Sequence, residues 1–272
     1  MNKKTRYKSV ISASRRVDLL TFYPDFMVER LEKIGKENIH TLVIWTKNPE
    51  NILKHKKLNK TLKSLDQVYV LLTITGLGGT ELEPNAPSNE KVLQLLPKLI
   101  DFLGSSKRLA IRYDPLLDVY YKDEVHLTNI DMEIFKNLLK DIKGSGIERV
   151  ITSYITLYPK VVKRLEKNNF RVVPHSKDEI ENFIQKRMIP LCEKENLKLN
   201  TCVLPDLTTT GCIEGKLLSE LHPEKERCSL AKDQSQRPNC HCTKSLDIGE
   251  WFSCYHGCFY CYGNPHIPEL KV

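Results

Sequence analysis

Apolar runs of strand length alternate with longer segments whose apolar residues recur at helical spacing, and this alternation confines the chain to an α/β fold around a parallel sheet. Runs over residues 7–14, 40–46, 67–75, 108–113 and 149–154 predict buried strands. Helices are expected over 23–36, 49–65, 88–103 and 129–143, one after each of the first four, and over 159–167 and 177–195 after the fifth. Residues 197–203 predict a further strand. With 272 residues and 40% hydrophobic content the chain can bury a large core in one domain, or in one domain with a small appendage.

The carboxyl ends of these strands are polar. They carry Ser12, Ser14, Arg15 and Arg16, then Thr46, Lys47 and Asn48, then Thr73 and Thr75, then Arg112 and Asp114, then Thr152, Ser153 and Tyr154. Any one of them is explained equally well by a turn beginning where a strand ends. Five such ends in succession point to one face of an α/β barrel, where substrates bind.

The formal charge of +8 suits a polyanionic or phosphorylated partner without identifying a surface, and lysines such as Lys54, Lys56 and Lys57 read as a solvated helix face. No run approaches the ~18 apolar residues that span a membrane. Residues 1–16 lack the hydrophobic region of a secretory signal, so a cytoplasmic protein is expected. In a reducing compartment its nine cysteines suit metal ligation or catalysis better than disulfides.

Beyond about Thr201 helical periodicity fades and Cys202, Cys212, Cys228, Cys240, Cys242, Cys254, Cys258 and Cys261 crowd together. Two regions are therefore expected: 1–200, an α/β body, and 201–272, a cysteine-rich segment organised by metal that completes it. Cys254-Tyr-His-Gly-Cys258-Phe-Tyr-Cys261 has the spacing C-x3-C-x2-C, so three thiolates can wrap one small cluster from a compact loop. A cuboidal four-iron cluster normally takes four thiolates, so one iron would be left without a protein ligand. The competing reading is a zinc site with His256 or Cys242 as fourth ligand.

The triplet, with Tyr260 before its last cysteine, resembles the hallmark of the radical S-adenosylmethionine (SAM) superfamily. That resemblance implies a [4Fe-4S] cluster on Cys254, Cys258 and Cys261 whose open iron binds SAM, and Tyr260 near the adenine. It also implies reductive cleavage of SAM to a 5'-deoxyadenosyl radical that abstracts hydrogen from a substrate, fed by a flavodoxin- or ferredoxin-type electron donor. In most of that superfamily the triplet lies near the beginning of the chain, whereas here it lies near the end. Reading on from Cys261 and wrapping to residue 1 gives an order similar to the spore photoproduct lyase group: Ile11 to Asp18, Trp45-Thr46-Lys47, Thr73-Ile74-Thr75 with Glu83-Pro84 and Pro87, and Arg112-Tyr113-Asp114-Pro115. The implied fold is a partial (βα)6 TIM-like barrel, circularly permuted. The chain also resembles, over nearly its whole length, the family known as domain of unknown function 1848, through Ile11 to Arg16 with Asp18, Trp45 to Pro49, Arg112 to Pro115, Gln236-Arg237, Cys240 and Cys242, Asp247-Ile248-Gly249 and the triplet.

By similarity to the lyase group, Lys47 is the candidate for the SAM carboxylate, with Thr73 or Thr75 and Ser12 or Ser14 near its ribose or amino end; otherwise Lys47 is a long basic side chain lying over apolar surface. Arg112 and Asp114 either bind substrate or brace the barrel mouth as an ion pair. Arg15 and Arg16 either grip a phosphate or carboxylate or form a solvated pair. Cys202, Cys212, Cys240 and Cys242 match positions in the pattern of the domain of unknown function 1848 family, to which Cys192 and Cys228 are less tied; they suit an auxiliary iron-sulfur cluster, a structural zinc site or unligated thiols, and spacing alone does not choose. The substrate class stays open among nucleic acid, small molecule and peptide. The reading from a different class is a non-catalytic, metal-stabilised nucleic-acid-binding module.

Overall fold

The computed structural model describes residues 7–204, 206–207 and 209–270. Part of the 1–16 segment discussed above, residues 1–6, lies outside the described residues. Ten strands are present among the described residues: β1 (Ser9–Ala13), β2 (Ile39–Thr46), β3 (Val68–Thr73), β4 (Leu109–Arg112), β5 (Asp118–Tyr121), β6 (Val125–Thr128), β7 (Arg149–Thr152), β8 (Phe170–Val172), β9 (Lys198–Thr201) and β10 (Leu246–Asp247). Seven of them form one sheet in the order β10-β1-β2-β3-β4-β7-β9, every neighbouring pair parallel. The molecule is thus an α/β fold on a parallel sheet, and a strand from the 201–272 region lies beside the first strand.

Period-two alternation sends the strand side chains to two different cores. Ile11, Leu42, Ile44, Val70, Leu72, Ile111 and Val150 join the helix-covered core with Leu31, Leu58, Leu99, Leu139 and Ile142. Val10, Val43, Tyr69, Leu71, Ala110 and Ile151 point the other way, onto Cys212, Ile213, Leu218, Cys228, Cys240 and Cys242. The cysteine-rich region therefore roofs the second face of the sheet.

The helices form where the spacing predicts, with breaks that have local causes. Helix Pro24–Ile34 starts with proline in its first turn and stops at Gly35, whose φ of 81° only glycine adopts cheaply. Helix Met132–Ile142 is capped by the Asp131 carboxylate, which accepts from Glu133 N and Ile134 N. The run expected over 49–65 is two helices, Glu50–Lys54 and Lys56–Lys63, because the His55 ring caps the second by accepting from Leu58 N at 3.2 Å. That over 88–103 divides into Asn89–Leu93 and Leu96–Leu103, the latter with proline in its first turn. The 177–195 run passes from Lys177–Phe183 through a π-turn at Ile184–Met188 to Ile189–Lys194, where Pro190 lacks the N–H that an unbroken α-helix needs.

Besides β10, two further features lie outside the sequence expectations. Strands β6-β5-β8 form a separate antiparallel sheet, its hairpin turned by Lys122 and Asp123, both at positive φ. Helix Gly215–Leu221 lies where helical periodicity fades. No helix among the described residues is long and apolar enough to cross a membrane.

Candidate active site

The carboxyl ends of the parallel strands surround a cavity of about 360 Å³. Its lining includes Ser14, Arg15 and Arg16 after β1, Lys47 after β2, Thr73 at the end of β3, Arg112 and Asp114 from β4, Ser153 after β7 and Cys202 after β9. All three triplet cysteines, the remaining three of the quartet and Tyr260 line the same space. Of the site residues expected from sequence, only Ser12 and Thr75 stand behind the wall. The Ser12 hydroxyl donates to Asp247 at 3.2 Å and accepts from Trp45 Nε1 at 3.0 Å, and Thr75 donates to Glu83 at 2.8 Å.

The triplet loop is pinned through its backbone. Cys254 N donates to Asn264 O, His266 N to Cys254 O, and Phe259 N to Leu82 O, at 2.9, 2.9 and 3.1 Å. Arg164 Nη1 reaches Phe259 O at 3.0 Å and Cys261 O at 2.6 Å. Gly263 N donates to Cys261 Sγ at 3.2 Å, the kind of N–H contact that stabilises a metal-bound thiolate. Burial, then the Asp18 charge, pushes the Cys254 thiol up to about 11, and burial raises Cys258 and Cys261 as well. Three desolvated thiols converging on one space, each costly to ionise alone, are the donor set that a cation or cationic cluster core compensates.

Two carboxylates hold the neighbouring strand ends. Asp18 Oδ2 accepts from Thr46 Oγ1, Lys47 N and His256 Nε2, each at 2.9 Å, while Oδ1 accepts from Thr21 N at 3.0 Å. The other His256 nitrogen, Nδ1, is buried without a partner. Glu83, 1% exposed, pairs with Lys47 Nζ at 2.8 Å and accepts from Thr75 and Tyr260. Burial opposes the Lys47 charge, but Glu83 and the Cys258 sulfur outweigh it and raise the ammonium. Glu83 and Asp18 belong to the motifs read from sequence, yet neither is among the site residues expected there. An acidic residue among basic and hydroxylic strand ends is the signal that marks them.

On the opposite wall the quartet closes a ring of thiol contacts. Cys202 meets Cys212 and Cys240, and Cys242 meets the same two. The Cys212 and Cys240 contacts depress Cys242 far below an ordinary thiol despite burial, with the Arg15 charge assisting, whereas those same two neighbours and burial raise Cys202. The ring is fixed by close packing, since a Cβ on Gly211 would meet the Cys242 backbone at 2.4 Å. Arg149 reinforces it by donating to Cys212 O at 3.1 Å and Gly211 O at 2.5 Å. Such a donor set fits a tetrathiolate metal centre.

Between the cysteine groups the guanidiniums of Arg15 and Arg112 both pack on the Trp45 ring, 5.3 and 4.8 Å from its centroid. Arg112 donates to Thr73 Oγ1 at 3.2 Å and pairs with Asp114, which also accepts from Ser153. Arg15 donates to Ser245 at 3.2 Å and lies 4.0 Å from Asp247. Arg16 donates to Gly249 O at 2.7 Å and stacks on Trp251. Cys192 and Cys228 stand apart, Cys192 inside the helix-covered core and Cys228 donating to Gly215 O at 3.3 Å.

Among solved structures the chain is similar to Streptococcus suis SuiB bound to S-adenosylmethionine, with 10% identity, a TM-score of 0.42, and 75% of this chain and 54% of that chain covered. SuiB bound to precursor peptide SuiA gives 12% identity, a TM-score of 0.40, and coverage of 72% and 49%. Dihydrodipicolinate synthase gives 13%, 0.30, 80% and 53%. The chain spans about half the length of these structures. No curated protein matches it. Residues 10–263 match the family model described as Domain of unknown function (DUF1848), a span holding both cysteine groups and all ten described strands but the outermost residue of β1, and the chain belongs to that family.

Proposed function

We propose that the chain is a cytoplasmic radical SAM enzyme. The observation that carries this is the convergence of Cys254, Cys258 and Cys261 on a cavity whose lining also supplies Lys47, Thr73 and Tyr260. In this reading the three thiolates hold a [4Fe-4S] cluster with one open iron, which supplies one-electron cleavage of SAM when reduced by a flavodoxin- or ferredoxin-type donor. The residues of the chain bind, orient and shield. Lys47 offers its ammonium to the methionine carboxylate, with Glu83 behind it holding that ammonium in place, Thr73 and Ser14 face the ribose, and Tyr260 lies by the adenine. Thr75 and Ser12 act through Glu83 and through Asp247 with Trp45. Arg15, Arg16, Arg112 and Asp114 are left for substrate and for the second centre, where Cys202, Cys212, Cys240 and Cys242 hold a metal.

The fold reading is a partial barrel whose β10, followed by the triplet loop, stands where the first strand of such a barrel would be. Its support is the parallel pairing of Ile11 with Leu246 and Ser12 with Asp247. Residues 1–200 then form the body and 201–272 complete it.

The test is anaerobic reconstitution with iron and sulfide, followed by chromatography for 5'-deoxyadenosine and methionine after reduction in the presence of SAM. Wild type is expected to form both, and Cys258→Ala neither, with circular dichroism unchanged. SAM cleavage at the wild-type rate by the alanine variant would overturn the assignment, as would a colourless, zinc-loaded wild type.

A further inference from the structure

We infer that Cys202, Cys212, Cys240 and Cys242 hold a redox-active iron-sulfur cluster rather than zinc, and that Arg15 and Arg112 are the hydrogen-bond donors to its sulfurs that set its reduction potential. This deepens the proposed function, because it rests on the quartet being a metal centre.

The first ground is an unpaid hydrogen-bond account. Arg15 Nη2 and Arg112 Nε are buried, and neither has a partner among protein oxygens or nitrogens. A buried guanidinium N–H left unpaired costs about 1–3 kcal/mol or more, so a partner is expected in the space that both side chains line. The quartet sulfurs line that same space. Packing on Trp45, at 5.3 and 4.8 Å, together with the bonds to Ser245 and Thr73, prevents either guanidinium from turning out to solvent.

The second ground is what the site does not need. Structural zinc usually supplies folding energy where a core is missing. Here the segment bearing the cysteines already packs Ile213 and Leu218 on Val43, Tyr69 and Leu71 of the sheet. The centre instead lines the substrate cavity and has Arg237 on its rim, with Arg149 behind it. Positive charge and N–H donors around thiolates favour an added electron, which a zinc ion does not take up and an iron-sulfur cluster does. The step is a reversible one-electron reduction by an external low-potential donor, with no atom transferred.

The experiment uses the full chain with Cys254→Ala, Cys258→Ala and Cys261→Ala, so that only the quartet remains. It is reconstituted with ferrous iron and sulfide beside equimolar zinc, analysed for metals, and titrated with dithionite while absorbance and electron paramagnetic resonance are followed. Bound iron and sulfide with a reversible one-electron signal are expected. Arg15→Met and Arg112→Met should each move the midpoint to a more negative potential, and Arg15→Lys should fall between Arg15→Met and the parent. Zinc-loaded protein indifferent to dithionite overturns the proposal, and so do midpoints unchanged in the variants. Should Arg112→Met not fold, the two Arg15 variants decide. If wild type fails to cleave SAM while this quartet-only chain still titrates, the triplet reading falls and the present one stands.

Discussion

His256 Nε2 lies 2.9 Å from Asp18 Oδ2, which ties the loop between the first two triplet cysteines to the turn after β1. The same oxygen accepts from Thr46 Oγ1 and Lys47 N at the end of β2. One carboxylate thus fixes three chain segments around the cavity. Asp18→Ala would leave Lys47 N and His256 Nε2 buried without an acceptor, each at about 1–3 kcal/mol, while Thr46 Oγ1 keeps Asn48 O at 2.9 Å. A loss of roughly 3–5 kcal/mol in urea denaturation is expected, together with reduced iron retention at the triplet, whereas Asp18→Asn should cost less. Unchanged stability in the alanine variant would show that the hub bears no weight.

Lys47 is locked to Glu83 rather than lying over apolar surface, so its substitution has two separable effects. Removing the ammonium strands a buried carboxylate, which costs about 3–5 kcal/mol. Lys47→Ala is therefore expected to weaken SAM binding at least tenfold and to lower stability, while Lys47→Ala with Glu83→Gln recovers stability without recovering affinity. Calorimetric titration with SAM beside thermal unfolding separates the two, and an unchanged dissociation constant would remove Lys47 from the site.

Gly211 is needed for its missing side chain. Its Cβ would meet the Cys242 backbone at 2.4 Å and His241 C at 2.5 Å, and backbone atoms yield little. Gly211→Ala is expected to empty the quartet while leaving the triplet loaded, read as loss of that centre's share of bound metal. Full metal content in the variant would refute the packing argument.

His40 and His222 are wholly buried with rings 4.5 Å apart, and burial depresses both below the ordinary imidazole value. Lys8, Asp66 and Glu226 face them. Because the folded values are lowered, the unfolded chain binds protons first as pH falls. Their contribution is therefore complete above about pH 6.5 and declines below it toward the folded values. The midpoint of thermal unfolding should drop between pH 7 and 5, and His222→Gln should flatten that slope. A midpoint that rises on acidification would contradict the sign.

The strands of the main sheet were legible because parallel strands covered on both faces read as continuous apolar runs, as in Ile39–Thr46. Strand β10 was not, since two residues, Leu246 and Asp247, carry no periodicity. The hairpin of β5 and β6 escaped because Val125 and His126 are exposed and its turn uses Lys-Asp at positive φ in place of glycine. The triplet could be read from its spacing and the quartet from the family pattern it resembles, but the cavity that both line could not, because Cys202 and Cys242 come to one wall only after the chain has roofed the sheet. Hydroxyls such as Ser12 were expected to face a ligand, but position along a strand does not reveal that Asp247 claims them first.

The placement of β10 beside β1 has a consequence for biogenesis. All seven parallel strands precede the triplet in the chain, with β10 ending at Asp247 a short loop before Cys254, so a nascent polypeptide can build the sheet before Cys254, Cys258 and Cys261 leave the ribosome. Under the proposed function, iron delivery to the triplet would then be a finishing step performed on a ready receptacle, and a chain stalled short of that loop would be expected to fold without its cluster.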